Sequence, residues 1–200
     1  MSEIKLIFSE AGINISSYQL NQFKIMTDFM LEYNKNVNLT SITAHRDIFI
    51  KHYLDSVMPL TLTDFPEGST VADVGTGAGF PAIPMLIMRP DLKFTLIDSL
   101  AKRTSYLKQL KSKLNINCEI ITARSEDFAQ ANREKYDFVV SRAVARLPIL
   151  AELTVPLLKV SGRLCALKTP TEDITDLENF DDKLGVSLDK LIDYTIADKN

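Results

Sequence analysis

The chain has little of the residue types that stabilise small secreted or metal-bound folds. It contains two cysteines, Cys118 and Cys165, each inside an apolar run, and two histidines. This scarcity argues against a disulfide framework, and we interpret both cysteines as reduced core thiols. No group of cysteine and histidine residues has the spacing of a zinc site, so we expect no metal.

The sequence also lacks segments that would place it in or across a membrane. None of its apolar runs approaches the roughly 20 residues that a membrane-spanning helix needs. The N-terminus does not show the basic and then apolar pattern of a secretion signal. We therefore expect a cytoplasmic protein that makes no membrane contact, which agrees with the reduced cysteines.

A surplus of positive charge is missing as well. The formal net charge is -3, from 23 basic and 26 acidic residues, which argues against a protein that wraps nucleic acid over most of its surface. Acidic residues dominate from Thr171 onward, whereas residues 99–118 contain none. That segment carries a group of basic residues, Lys102, Arg103, Lys108, Lys111 and Lys113. The sequence therefore allows one locally basic surface on an acidic protein.

The most informative stretch is residues 71–81, VADVGTGAGFP. A short apolar run ends in an acid, and three glycines then alternate with small residues before Phe80 and Pro81. The pattern predicts a buried strand, a tight glycine turn and a helix with proline near its first turn. Glycines let a ligand approach the backbone, and a helix N-terminus offers unpaired N–H groups. We therefore predict a cofactor site at this turn.

Hydrophobic periodicity predicts alternating strands and helices after this turn. The expected strands are 71–74, 93–98, 118–122, 136–141 and 163–168. The expected helices are 80–88, 100–114 with Ser99 as its N-cap, 126–131 and 147–158. An acidic helix and a last strand near 188–196 are expected to follow. Apolar strands that alternate with helices indicate an α/β fold with a mostly parallel sheet and helices on both faces.

The residues before this core predict a helical extension. A helix capped by Ser16 and Gln19 is followed by a turn at 34–43 and a second helix at about 45–60. We therefore divide the chain into an N-terminal helical extension, residues 1–65, packed on a core of residues 66–200, which together form a single globular unit.

In a parallel sheet, ligands bind beyond the carboxyl ends of the strands. The residues at these positions are Gly75–Phe80, Asp98–Ser99, 123–126, Arg142–Ala143 and Lys168. An acid at the end of the second strand, here Asp98, can accept hydrogen bonds from ribose hydroxyls. The dinucleotide fingerprint requires a glycine at its sixth position, where this chain has Phe80. The loop fits a nucleoside with a short zwitterionic tail at least as well as a dinucleotide.

The sequence around this loop resembles a known family. The segments VADVGTGAGFPAIPMLI and FTLIDSLAKR are similar to the bacterial methyltransferases that modify guanine N7 in 16S ribosomal RNA, the RsmG family, formerly called glucose-inhibited division protein B. The segments YNKNVNLTSIT, KHYLDSV, ARSEDF, VSRAVARL and RLCALK resemble its other motifs in the same order. The resemblance covers most of the chain, residues 32–168. It implies a Rossmann-like fold that binds S-adenosylmethionine.

The resemblance also implies roles for individual residues. In the family, the first loop glycine and the apolar residue that closes the loop contact S-adenosylmethionine, which points to Gly75 and Phe80. Ser125 and Glu126 would hold the adenine edge, and Arg142 matches the arginine after the fourth strand. Together with the strand-end rule, the candidate cofactor residues are Gly75, Thr76, Gly77, Gly79, Phe80, Asp98, Ser99, Ser125, Glu126 and Arg142. The structural alternatives are a tight turn for the glycines, a helix-start acid for Glu126 and an ion pair for Arg142.

A second group of residues is expected to face the RNA. Its members are Asn38, His52, Asp55, Lys102, Arg103, Arg146 and Lys168. His52 and Asp55 are spaced three apart in a predicted helix, so a histidine satisfied by a local acid is the alternative to a substrate role. The expected partner is 16S rRNA or the small ribosomal subunit, and we expect a monomer.

The reaction that the resemblance implies sets limits on the chemistry. Guanine N7 has a lone pair and no proton, so we expect no general base and assign no catalytic proton-transfer residue; the protein supplies positioning and electrostatics. Because N7 must stay free, a basic side chain would address guanine O6 or a phosphate. N7 lies in the deep groove of A-form RNA, so the target base is expected in a loop or splayed out.

Two other functions remain open at this point. One is a nicotinamide-dependent oxidoreductase on the same sheet, which Phe80 disfavours, and the other is a non-catalytic RNA-binding module. Two departures from the family also stand out. Thr169 and Pro170 follow Lys168 where a glycine is usual, which implies an altered loop near the substrate. A final edge strand, normally paired as a hairpin, is expected to be missing after Asn200.

Overall fold

The computed structural model describes residues 3–169 and 184–196. Two helices, α1 (Glu3–Glu10) and α2 (Ser17–Asn34), begin the chain. The predicted capping box of α2 is confirmed, because the Ser16 hydroxyl accepts from the Gln19 N–H while the Gln19 side chain accepts from the Ser16 N–H. A helix that starts with both of these donors satisfied has a well-defined first turn.

The next helical region is irregular. It consists of α3 (His45–Asp47), a π-helical segment (Ile48–Leu54), α4 (Asp55–Val57) and α5 (Pro59–Leu62). The helix predicted at 45–60 is confirmed in its position, but hydrophobic periodicity does not predict its π-helical turns. Such turns are rare in proteins and are frequent at functional sites.

Five parallel strands form one sheet in the order β3-β2-β1-β4-β5. The strands are β1 (Thr70–Val74), β2 (Lys93–Asp98), β3 (Glu119–Thr122), β4 (Tyr136–Arg142) and β5 (Leu158–Leu167). The chain first forms the half of the sheet that contains β1, β2 and β3, and then crosses to β4 on the other side of β1. The strand order therefore reverses between β1 and β4. The carboxyl ends of these two strands are therefore the topological switch point at which α/β proteins bind ligands.

Helices cover both faces of the sheet. They are α6 (Ala82–Met88), α7 (Ala101–Leu114), α8 (Ser125–Ala131) and α9 (Leu147–Thr154). Alternate side chains of each strand enter different cores, so that Leu96 packs in the larger core with α1, α2, α6 and α7, and its neighbour Ile97 packs in the smaller core with α8. The N-terminal extension therefore packs on the face that carries α6 and α7.

Several boundaries differ from prediction. Helix α6 begins at Ala82 rather than Phe80. Ser99 does not cap α7, whose N-cap is Leu100. The reason is that the Asp98 carboxylate accepts the Leu100 N–H at 2.8 Å and so directs the chain into the helix.

The later elements also differ. Helix α9 ends at Thr154 and a 3₁₀ turn, Val155–Leu157, leads directly into β5, which begins at Leu158 instead of residue 163. Pro156 lies in this turn and lacks an N–H to continue an α-helix. The strand expected near 188–196 is wrong, because the described residues 184–196 contain no strand. Its apolar residues Leu188 and Leu191 are each 58% exposed. The predicted acidic helix falls on residues outside the described ranges.

The cysteines and the helices also bear on the general properties expected of the chain. Both cysteines are free thiols, and burial raises the pKa of each to about 11. Within residues 3–169 and 184–196, none of the helices combines the length and apolarity needed to cross a bilayer.

Candidate functional site

The glycine loop (Gly75–Phe80) lies immediately beyond β1 at the topological switch point. The N–H groups of Gly75 and Thr76 donate to the carbonyl of Ile97 on β2 at 2.9 and 3.1 Å. Gly75 has a φ of +73°, and a Cβ at this position would lie 2.4 Å from Cγ2 of Val144. Val144 follows β4, so the loops after β1 and β4 meet at this glycine. A larger residue at position 75 requires the Val144 side chain or one of these loops to move.

Gly79 has a different role from Gly75. Its φ is +93°, and a Cβ here would lie 2.6 Å from Cγ1 of Ile83 and 3.1 Å from Cδ2 of Leu107. These are side chains of the large core. The structure thus places Gly79, one of the predicted cofactor residues, against α6 and α7, where close packing alone accounts for a glycine.

Asp98 is buried at the end of β2 and supports the glycine loop. Its Oδ2 accepts the Gly77 N–H at 3.0 Å and is 3.4 Å from Nη1 of Arg103. Its Oδ1 accepts the Leu100 N–H. A carboxylate has about four acceptor positions, so one position remains for a ribose hydroxyl, and that contact stays a prediction. The same carboxylate fixes the position of the loop.

Asp73 is a functional candidate that the sequence analysis missed. It is fully buried near the end of β1, and its Oδ2 accepts the Ala82 N–H at 3.2 Å. Within the described part of the chain, its Oδ1 and the buried Thr76 hydroxyl have no hydrogen-bond partner. Burial raises the pKa of the Asp73 carboxyl to about 7. The available signal was a carboxylate inside an otherwise apolar strand, VADV.

Ser125 and Glu126 lie beside Asp98 at the end of the neighbouring strand. The connection from β3 to α8 is joined to β2 by the Ala123 N–H, which donates to the Asp98 carbonyl at 3.2 Å. Ser125 is the first residue of α8, and Glu126 is exposed in its first turn. An acid is favourable at a helix N-terminus, so both the helix-start interpretation and an adenine contact fit Glu126. Ser99 is exposed on the same edge.

The Arg142 cluster consists of Arg142, His52, Asp55 and Phe80. Nη1 of Arg142 donates to Oδ2 of Asp55 at 3.0 Å, and Nη2 donates to Nδ1 of His52 at 2.9 Å. The guanidinium carbon lies 4.9 Å from the centre of the Phe80 ring. The His52 ring stacks on Phe80 with centres 4.5 Å apart. His52 and Asp55 are thus joined by an arginine from β4, and not to one another as the helix spacing suggested.

Phe80 links this cluster to the glycine loop. It is the last residue of the loop and is buried against the N-terminal extension, where it also contacts Tyr53 at 5.9 Å between ring centres. The structure therefore gives Phe80 a core role and a place under the arginine at the same time. Because the extension supplies His52 and Asp55, it is part of the site.

The remaining residues expected to face the RNA are distributed around this edge. Lys102 is exposed in the first turn of α7, and Asn38 is exposed in the turn after α2. The Lys168 ammonium group, beyond β5, donates to the carbonyl of Ala145. Arg146, at the start of α9, also has partners within the chain. Only 8% of His52 is exposed, so it lies behind Arg142 and not on the surface.

This arrangement, with a glycine loop, an acid on the next strand and an arginine after β4, is typical of nucleoside-binding α/β enzymes. A comparison with known families decides which one. The family model described as rRNA small subunit methyltransferase G (GidB) matches residues 19–196. The chain belongs to this family.

Curated relatives give the same result. A protein named Ribosomal RNA small subunit methyltransferase G from Lactobacillus helveticus is 44% identical over 177 residues, which cover 86% of this chain and 74% of the relative. The protein of that name from Lactobacillus acidophilus is 42% identical over 201 residues, 97% of this chain and 84% of the relative. The one from Streptococcus pneumoniae is 38% identical over 200 residues, with the same two coverages. The predicted family is confirmed, and an oxidoreductase is not favoured.

Two solved structures share the fold at low sequence identity. Precorrin 8w decarboxylase from Methanobacterium thermoautotrophicum has a TM-score of 0.54 and 14% identity, and the match covers 74% of this chain and 75% of that one. The YcgJ protein from Bacillus subtilis has a TM-score of 0.50 and 15% identity, with 57% of this chain and 50% of that chain covered. These likenesses support the predicted Rossmann-like fold alone.

Proposed function

We propose that this member of the methyltransferase G family transfers a methyl group from S-adenosylmethionine to N7 of a guanine in 16S rRNA. The observation that carries the proposal is the meeting of the loops after β1 and β4, where Gly75 lies against Val144. The Asp73 carboxyl is buried at the end of β1, directly before this loop. The proposal includes a monomeric enzyme in the cytoplasm, where ribosomal RNA is available.

The residues at this edge fit the proposed cofactor. Its ribose needs a hydrogen-bond acceptor, for which Asp98 is placed at the end of β2. Its methionine part carries an ammonium group, which the Asp73 carboxyl, buried near the end of β1, would attract electrostatically. Ser125 and Glu126 would hold the adenine. When bound, S-adenosylmethionine supplies an electrophilic methyl group on a positively charged sulfur.

The chain's own residues then need to position the base and exclude water. N7 of guanine has no proton, so none of the side chains has to remove one, and the site works by orientation and charge. Arg142 uses both N–H groups of Nη1, on Asp55 and on the Lys51 carbonyl, and one of Nη2, on His52. A guanidinium has five N–H donors. The donors left over are suited to guanine O6 or a phosphate, which keeps N7 free.

Two measurements test the proposed function. Calorimetric titration with S-adenosylmethionine, with NAD as the comparison ligand, tests the cofactor. Transfer of a labelled methyl group to naked 16S rRNA and to isolated small subunits tests the reaction, and digestion identifies 7-methylguanine. We expect binding of the methyl donor and label in one of the two RNAs. If the protein binds NAD and not S-adenosylmethionine, it is an oxidoreductase. If it binds S-adenosylmethionine but transfers no methyl group, it is a non-catalytic RNA-binding module.

Asp73 leads to a prediction about pH and stability. Its carboxyl titrates near 7 in the folded chain and near its ordinary value of 3.8 in the unfolded chain. Between these values the folded state binds the extra proton, so this group's contribution to the free energy of unfolding falls as pH rises from about 4 to about 7. Asp73→Asn removes the contribution. In urea unfolding, the free energy of unfolding of Asp73→Asn minus that of the wild type should therefore increase as pH rises from about 4 to about 7. Above pH 7 this difference should stay constant.

The difference between the two proteins is needed because other groups titrate over the same range. Burial lowers the pKa of His52 from 6.5 to about 4, so His52 alone makes stability rise as pH increases over that window. Both proteins contain His52, and its effect cancels in the comparison. A difference that does not change between about pH 4 and pH 7 would contradict the assignment to Asp73. Asparagine has nearly the same shape, which limits changes in packing.

The exposed Lys102 leads to a prediction about RNA binding. Lys102 lies in the first turn of α7, next to the site, and Lys113 lies in the last turn, where its ammonium group contacts the Phe29 ring at 5.0 Å. We expect Lys102→Ala to weaken RNA binding and to reduce the slope of log K against log salt by roughly 0.7 to 0.9. Lys113→Ala is the matched control and should leave the slope unchanged. Equal slopes for Lys102→Ala and wild type would place the RNA elsewhere.

A further inference from the structure

His52 is buried, polar and has no part in the proposed chemistry. Its ring nitrogens have two defined partners, Nη2 of Arg142 on one side and Oγ1 of Thr40, at 2.8 Å, on the other. We infer that His52 is a positioning residue, which holds Arg142 over the Phe80 ring as a neutral imidazole with its proton on Nε2. The hydrogen bonds of His52 do not depend on the proposed function. The effect of His52 on methyl transfer rests on the proposed function.

The partners of the ring fix its protonation. A guanidinium has only donors, so Nδ1 of His52 must accept from Arg142 and carries no proton. Nε2 then carries the proton and donates to Thr40. A charged imidazole would place a donor against a donor and a positive charge against the arginine. Burial and the charge of Arg142 lower the pKa of His52 to about 4, which agrees with a neutral ring.

The turn that contains Thr40 is itself held in place. Oδ1 of Asn34 accepts the N–H groups of Leu39 and Thr40 at 2.7 and 3.0 Å, and its amide donates to the Thr40 carbonyl at 3.0 Å. The Thr40 hydroxyl accepts the Ile42 N–H at 3.0 Å. The segment YNKNVNLTSIT, which has no role in the cofactor loop, is therefore accounted for as the support of His52.

The π-helical segment and the first residue of α4 direct three groups at the same arginine. The Asp55 N–H donates to the carbonyls of Ile50 and His52 and passes over Lys51. The Lys51 carbonyl accepts from Nη1 of Arg142 at 3.0 Å. The Lys51 carbonyl, the His52 ring and the Asp55 carboxylate thus surround one edge of the guanidinium. The other Asp55 oxygen accepts from the Tyr194 hydroxyl at 2.8 Å, which restricts the carboxylate.

These contacts leave Arg142 little freedom to rotate. Loss of the His52 acceptor would release Nη2 while Asp55 still held Nη1, so the charge would stay in the site with the wrong orientation. His52 itself is too buried to contact RNA. Any effect of replacing it on methyl transfer must therefore pass through Arg142.

Nuclear magnetic resonance of the ¹⁵N-labelled full chain tests the geometry without activity. The chain has two histidines, and the spectrum of His45→Gln assigns the exposed one. We expect His52 to show a proton on Nε2 and a bare Nδ1 from about pH 6 to pH 8. We also expect Arg142→Gln to shift the Nδ1 signal. A charged ring, a proton on Nδ1, or no response to Arg142→Gln would overturn the inference.

A double-mutant cycle tests the consequence. His52→Asn keeps an acceptor near the position of Nδ1, whereas His52→Gln keeps a donor near Nε2 and loses the acceptor. We expect His52→Gln to lower kcat/KM for RNA on the order of tenfold or more, because a hydrogen bond to a charged group is lost, and His52→Asn to lower it several-fold less. In an Arg142→Gln background, His52→Gln should change kcat/KM by less than about twofold. His45→Gln is the control and should behave as the wild type.

The outcomes separate positioning from a structural role. If the effects of His52→Gln and Arg142→Gln multiply, or if Asn and Gln lose equal activity with equal falls in Tm, the inference is wrong. If the wild type binds S-adenosylmethionine but transfers no methyl group, the double-mutant cycle uses the Kd for S-adenosylmethionine in place of kcat/KM. If the wild type does not bind it, the proposed function fails and the resonance experiment still decides the geometry.

Discussion

Replacing Gly75 with valine is expected to remove measurable binding of S-adenosylmethionine while the chain still unfolds in one cooperative transition. Position 75 has a φ of +73°, where a β-branched residue is strained, and a Cβ would lie 2.4 Å from Cγ2 of Val144. The Val144 side chain or the loops after β1 and β4 must then shift at the point where the cofactor is proposed to bind. Calorimetric titration measures the binding, and urea unfolding measures the fold.

Gly68 offers a matched control for backbone strain. Its φ is +75°, and a Cβ there would meet nothing within 4 Å. Gly68→Val should therefore lose about 1 to 2 kcal/mol of stability from backbone strain alone. Its binding of the cofactor should be normal. If Gly75→Val also binds normally, the assignment of the cofactor to this loop is wrong. If both variants lose binding, strain and not the meeting of the two loops explains the result.

Gly79→Ala is expected to act on stability instead, with a loss of about 2 to 5 kcal/mol from strain and overpacking together. The added Cβ would lie 2.6 Å from Cγ1 of Ile83 and 3.1 Å from Cδ2 of Leu107, inside a closely packed core. This is a large share of the roughly 5 to 15 kcal/mol that stabilise a typical domain. The free energy of unfolding in urea measures the loss.

Ile83→Ala provides the test of the cause. This change removes the Cγ1 atom that the new Cβ would meet, so Gly79→Ala should cost less stability in an Ile83→Ala background than in the wild type. The strain at φ +93° stays in both backgrounds. An equal loss in the two would mean that overpacking against Ile83 contributes nothing. Gly75 and Gly79 belong to one motif, but we expect their substitutions to differ in effect. Gly75→Val should impair cofactor binding, and Gly79→Ala should lower stability.

The strand-end rule predicted the edge of the site because it depends on sequence order and parallel pairing alone. Asp98 and Arg142 follow apolar runs, and such runs in alternation with helices indicate which ends meet. The family resemblance then added the cofactor. The contacts of these residues were not predictable, since the partners of Arg142 lie 87 and 90 positions earlier in the chain. The ion pair that was the structural alternative for Arg142 is present, and its contact with a ligand stays a prediction.

What the sequence missed has identifiable physical causes. Asp73 was passed over because the cost of a buried carboxyl depends on what surrounds it, which periodicity does not report. The π-helical turns span only Ile48–Leu54, too short for a change of period to be visible. Ser99 does not cap α7 because the helix begins one residue later, with Leu100 as its N-cap, and the Leu100 N–H donates to Asp98. The strand at 188–196 was predicted from apolar content although its residues lie exposed.

The Arg142 cluster has a consequence for synthesis of the chain. Its ion pair joins residues 87 positions apart, and closing a loop of this length comes late in folding compared with local contacts. A growing chain that has emerged through β2 already contains the glycine loop and Asp98. His52 and Asp55 have emerged even earlier, yet Arg142 joins them only when β4 follows. The glycine loop and Asp98 are thus synthesised well before the arginine, and the Arg142 cluster forms only after β4 has emerged.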